Sequence, residues 1–154
     1  MTKLLLSIHV LASILVVGPI AVAASLFPRY ARQATGEDGR SAGAAVLLHR
    51  ICSGYAIVGV AVPVFGLATG AQLGVLTDAW LITSIVLTTI AAAILALAIL
   101  PGQERMIETS WDGTTDDESP RTAARLAGLT GVFNLLWAVV VVLMIVRPGS
   151  TTGA

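Results

Sequence analysis

Four apolar runs alternate with short polar connections along this chain. The first covers residues 4–27, LLLSIHVLASILVVGPIAVAASLF, and holds one imidazole, His9. A helix rises about 1.5 Å per residue, so about 24 residues cross a hydrocarbon core of roughly 30 Å. Further runs cover residues 51–69, 81–100 and 124–146. The pattern predicts an all-α membrane protein: one integral domain over residues 1–154, with four transmembrane helices in an up-down bundle. Pro19 and Pro63 fall inside the first and second runs and predict kinks. Proline lacks the backbone donor, and its ring crowds the carbonyl one turn earlier.

The connections carry boundary signals. Pro28-Arg29-Tyr30 places an aromatic and a cation at headgroup level after the first run. Ser41 and Asp78 suit the N-caps of the second and third helices, and Trp80 suits an interface anchor. Pro101-Gly102 closes the third run, with a helical extension over Gln103–Ser110 along the membrane surface as an option. Ser119-Pro120 opens the fourth helix and Arg147-Pro148-Gly149 ends it. Lys3, an apolar run and Ala21-Val22-Ala23 imitate a secretory signal. The run exceeds the roughly 7–15 residues of a signal core, so the segment is expected to stay uncleaved.

Composition narrows the function classes. Hydrophobic residues make up 56% of the chain and charged residues 12%, about half the charge of a soluble domain. The formal net charge is zero, which leaves no electrostatic footprint for nucleic acid. Cys52 is the single cysteine and is read as a small apolar side chain. Basic residues set the orientation. Arg29, Arg32, Arg40, Arg50, Arg105, Arg121 and Arg125 fall on one side of the bundle, Lys3 and Arg147 on the other. Seven against two puts the arginine-bearing connections in the cytoplasm and both termini outside.

Polar residues within the runs are costly and become the candidate site. His9 and Ser13 share a face of the first helix, Ser84 and Thr88 a face of the third, and Thr130, Asn134 and Trp137 a face of the fourth. His9, Ser13, Ser84, Thr88 and Asn134 are expected to turn inward as one polar intramembrane face. As interhelical hydrogen bonds they contribute about 0.6 kcal/mol each. The sharper expectation is a small polar pocket lined by His9 and Asn134. No Asp, Glu or Lys lies within any run, against an ion relay. A haem held between His9 and His49 meets a separation of roughly 20 Å along the membrane normal, so one subunit cannot supply both ligands. Copper sites want clustered Cys or Met, and Met106 and Met144 lie in distant parts of the chain. No catalytic residue and no metal site is expected.

Arg29, Arg32, Arg40 and Arg50 form a cytoplasmic basic cluster suited to anionic lipid. The other connection on that side is acidic at Asp112, Asp116, Asp117 and Glu118, so the two could dock over Tyr55 and His49.

His9 followed by Gly18 in SIHVLASILVVG resembles the first helix of a loose group of bacterial membrane proteins. The group comprises domain-of-unknown-function family 2269, the copper resistance D family and the HemJ-type protoporphyrinogen oxidases. Family 2269 fits best in size and helix count. The Trp of the group's motif would fall at Val16, which departs from it, and Pro28-Arg29 resembles the Pro-Arg that ends the first HemJ-type helix. The resemblance implies His9 and Arg29 as a functional pair and haem or porphyrin as cofactor. The reading is therefore a non-enzymatic protein of a bacterial plasma membrane, binding partners or lining a small-solute pathway, without cofactor. Its companions would be lipid and a second copy or another membrane protein. The alternative is a haem- or porphyrin-linked oxidoreductase.

Overall fold

A computed structural model describes residues 2–34, 39–111 and 119–149, and all regular structure among them is helical. The elements are α1 (Thr2–Gln33), α2 (Gly39–Gly59), α3 (Ala61–Leu73), α4 (Ala79–Ile94), a π-helical segment (Leu95–Ile99), α5 (Leu100–Trp111) and α6 (Ser119–Val146). They make four spans long and apolar enough to cross a membrane: Lys3–Gln33, Gly39–Leu73, Ala79–Ser110 and Pro120–Val146. Large apolar side chains such as Ile14, Ile57, Leu97 and Ile145 stand exposed on all four. In hydrocarbon that exterior is the stable one, because lipid tails solvate it as well as a core would.

Prolines shape the spans in three ways. α1 runs unbroken through Pro19 and Pro28. The second span is interrupted at Val60, where the ladder narrows to a three-residue bond from Val60 N–H to the Ile57 carbonyl. Pro63 causes this, since it cannot donate to Gly59 one turn earlier. The third span passes Pro101 by widening: the Leu100 N–H reaches back five residues to the Leu95 carbonyl. A π turn of this kind relieves the crowding that a proline ring imposes on the preceding carbonyl. Pro101-Gly102 therefore does not close the helix, which continues to Trp111.

Two capping expectations are corrected. α2 begins at Gly39, so Ser41 is a buried residue of its first turn and not the N-cap. Asp78 does hold the N-cap position of α4, with extended backbone, but its side chain makes no capping bond. Its carboxylate accepts instead from the Trp80 indole N–H at 3.0 Å. The turn before it is closed by Gly74 at φ 69°, with Val75 N–H on the Gly70 carbonyl. Glycine reaches that left-handed conformation without a Cβ penalty.

α1 packs against α2, α3 and α6, α4 against α6, and α5 against α2. One core cluster gathers Val16, Ile20, Ala23, Cys52, Ala91 and Phe133. A second gathers Phe27, Ala31, Ala45, Met106, Ala123 and Leu126 near the arginine-bearing end. Alanines recur in both because small side chains let helix backbones approach. At the arginine end the α2–α5 contact closes the ring of spans. At the other end α3 and α4 meet only sparsely, and a space remains between them.

Candidate functional site

That space is a half-enclosed cavity of about 220 Å³ walled by α1, α3, α4 and α6. His9, Ser13, Ser84, Thr88, Thr89 and Trp137 are the polar residues of its lining, and the rest of the wall is apolar. Leu67, Ile85 and Val141 are exposed residues of the lining, so the mouth opens on the apolar flank of the bundle.

His9 is the best-positioned polar group in it. Its ring is buried, and Nδ1 lies 2.9 Å from the Val62 carbonyl oxygen. A carbonyl only accepts, so Nδ1 carries the hydrogen and Nε2 carries the lone pair. Gly66 makes room for the ring: a Cβ there would stand 2.8 Å from Cε1 and 3.2 Å from Nδ1. The glycine one turn past Val62 thus lets α3 approach the imidazole and accept its hydrogen. Ser13 donates to the His9 carbonyl and Ser84 to the Trp80 carbonyl, both at 2.8 Å.

The structure brings His9, Ser13, Ser84 and Thr88 together and leaves Asn134 apart. Asn134 Nδ2 donates to Ser25 Oγ at 3.4 Å, and its Oδ1 is buried without a partner. The fourth helix reaches the cavity instead through Trp137, Val140, Val141 and Met144. Trp137 also packs edge-on against Phe133, centroids 6.3 Å apart. Arg147 closes off this end of α6, its guanidinium 5.7 Å from the centre of the Trp80 ring.

Arg29 is not part of this site. His9 and Arg29 lie twenty residues apart on the single helix α1, about 30 Å by helical rise. Arg29, Arg32, Arg40 and Arg50 are all exposed, the first two late in α1 and the last two in α2. Arg50 borders a shallow groove with Ile51, Gly54, Tyr55 and Val58. The expected docking partner, around Asp112 and Asp116–Glu118, lies outside the described residues.

A second polar group, absent from the sequence reading, sits at the arginine end. Ser53 Oγ lies 3.4 Å from His49 Nε2, and His49 Nδ1 lies 3.1 Å from Gln103 Oε1. Gln103 Nε2 donates to Cys52 Sγ at 3.7 Å, and Cys52 Sγ donates to the Ile20 carbonyl at 3.9 Å. Gln103 is 1% exposed and Cys52 fully buried. The chain of bonds joins α1, α2 and α5. His9 and His49 thus occupy separate sites, and among the described residues no three His, Cys, Asp or Glu side chains gather.

A four-helix membrane bundle with a one-ended, laterally open cavity is the class this geometry defines. The chain belongs to the family of predicted integral membrane proteins DUF2269, whose pattern matches residues 3–148. No curated protein and no solved structure matches it.

Proposed function

We propose that this is a non-enzymatic membrane protein that takes a small, mostly apolar molecule from the bilayer into the His9 cavity. The observation that carries the reading is the fixed imidazole: with Nδ1 donating to Val62, Nε2 is an oriented acceptor in a mostly apolar wall. A few placed polar groups in an apolar pocket are what small-ligand sites share. The volume suits a small molecule, since about 300–1,000 Å³ holds drug-sized ones. Asn134 stands apart, so the site reads as a pocket and not as a continuous path.

A second reading, haem or porphyrin chemistry, is favoured by the same ring. Metal-binding histidines commonly donate their other nitrogen to a backbone carbonyl. The residues present do not fit the whole group. The cavity is smaller than a four-pyrrole ring requires, and Arg29 is about 30 Å from His9. His9 offers one ligand atom without a cradle, so no step is derived through a porphyrin.

The test uses protein with ¹⁵N-labelled imidazoles in lipid nanodiscs, titrated with 1-naphthol. The His9 Nε2 resonance should shift saturably while the His49 resonances stay still. Ala92→Phe, at an exposed lining position, should abolish the shift. An unmoved His9 signal would refute the pocket, and a Soret band lost in His9→Ala would replace it with the porphyrin reading.

We also propose that the membrane is a bacterial plasma membrane, with both termini outside. The seven-to-two distribution of basic residues supports this orientation. Cys52 is fully buried and gives little background. A cysteine at Gly149 should react with an impermeant maleimide applied to whole cells, and one at Gly39 should not. The reverse pattern inverts the topology.

A further inference from the structure

We infer that the His9 cavity selects molecules whose polar end donates a hydrogen bond, such as an alcohol, a phenol or a quinol. It disfavours isosteres whose polar end only accepts, such as an ether or a quinone. The inference rests on the pocket reading above and specifies the ligand class.

It follows from where the hydrogens of the lining groups go. Ser13 gives its hydroxyl hydrogen to the His9 carbonyl, Ser84 to Trp80 and Thr89 to Ile85, each at 2.8 Å. His9 gives its Nδ1 hydrogen to Val62 at 2.9 Å. Four polar side chains of the wall have thus committed their hydrogens to helix carbonyls, and none of these hydrogens is left for a ligand. Trp137 Nε1 keeps its hydrogen, but the atom is buried and has no partner. The Thr88 hydroxyl is the remaining donor of the lining.

A ligand hydroxyl can donate to His9 Nε2 and still accept from Thr88. An ether oxygen can accept from Thr88 but leaves His9 Nε2 unpaired. Sites built to hydrogen-bond a hydroxyl reject analogues that lack it, because the site's own polar atom is then left unpaired. In this apolar setting one such bond corresponds to roughly tenfold in affinity.

The experiment compares 1-naphthol with 1-methoxynaphthalene on the wild-type protein in nanodiscs. The readout is the His9 Nε2 resonance, with concentrations expressed as mole fraction in the bilayer. The phenol should half-saturate at about one-tenth the mole fraction of the ether or less. Thr88→Val should weaken both probes and leave the gap in place, because each loses the same donor while only the phenol keeps its bond to His9 Nε2. Equal half-saturation, or tighter binding of the ether, overturns the donor preference and leaves the pocket intact. A His9 signal that neither probe moves overturns the pocket itself, and the preference with it.

Discussion

Replacing Phe27 with alanine will lower the unfolding free energy by about 3 kcal/mol. Phe27 is completely buried, and its cluster contains Ala31, Ala45 and Ala123 with Met106 and Leu126. Alanine has no side-chain torsion with which to swing into a void. Three of the five other buried members of the cluster are therefore unable to close the space that the ring leaves. Lost transfer energy contributes little in a bilayer, where the exterior is as apolar as the core. The cost is the cavity itself, which places it at the low end of the usual Phe-to-Ala range of about 3–5 kcal/mol. Reversible unfolding in mixed micelles gives the number. Leu135→Ala, at a position 66% exposed, should change it by less than about 0.5 kcal/mol. A Phe27→Ala loss under about 1 kcal/mol would mean that the helices re-pack around the gap.

Gln103→Leu should cost about 1–3 kcal/mol by a different route. The substitution keeps the volume but leaves the half-buried His49 Nδ1 hydrogen without an acceptor and removes the amide that donates to the buried Cys52 sulfur. A buried donor left without an acceptor costs its desolvation, whereas removing both partners can be nearly neutral. The double variant His49→Phe with Gln103→Leu should therefore lose less than the two single losses added together. The shortfall should be about 0.5–3 kcal/mol, as for residues in one network. Strict additivity in the same unfolding assay would show that the His49–Gln103 bond contributes nothing to stability.

The spans were legible because length and apolar content alone decide them. Four-residue spacing likewise placed His9 with Ser13 and Ser84 with Thr88, since those intervals fix a helix face before any packing is known. Asn134 shares the fourth helix with Trp137, but the pairing of α6 with its neighbours turns it toward Ser25. That pairing depends on crossing geometry, which a single sequence does not encode by spacing. Gln103 was hidden for a local reason. Pro101-Gly102 reads as a helix stop, and only the π turn at Leu95–Ile99 carries the helix past it into the core. Pro63 lines the cavity, yet the sequence predicts only a kink there. Where the bent helix parts from its neighbour depends on contacts between α3 and α4.

The run of bonds from Ser53 to Ile20 has a polarity. Its last member is a peptide carbonyl, which can only receive. That fixes the sense of every bond before it: sulfur to carbonyl, amide to sulfur, imidazole to amide, hydroxyl to imidazole. The aligned dipoles reinforce one another, and a flip of the Gln103 amide would set like against like at both of its ends. A conductor of protons must be able to reverse each bond and release a hydrogen at its far end. Here the far end has none to release. The row is a one-way string with a blind terminus, which ties three helices together.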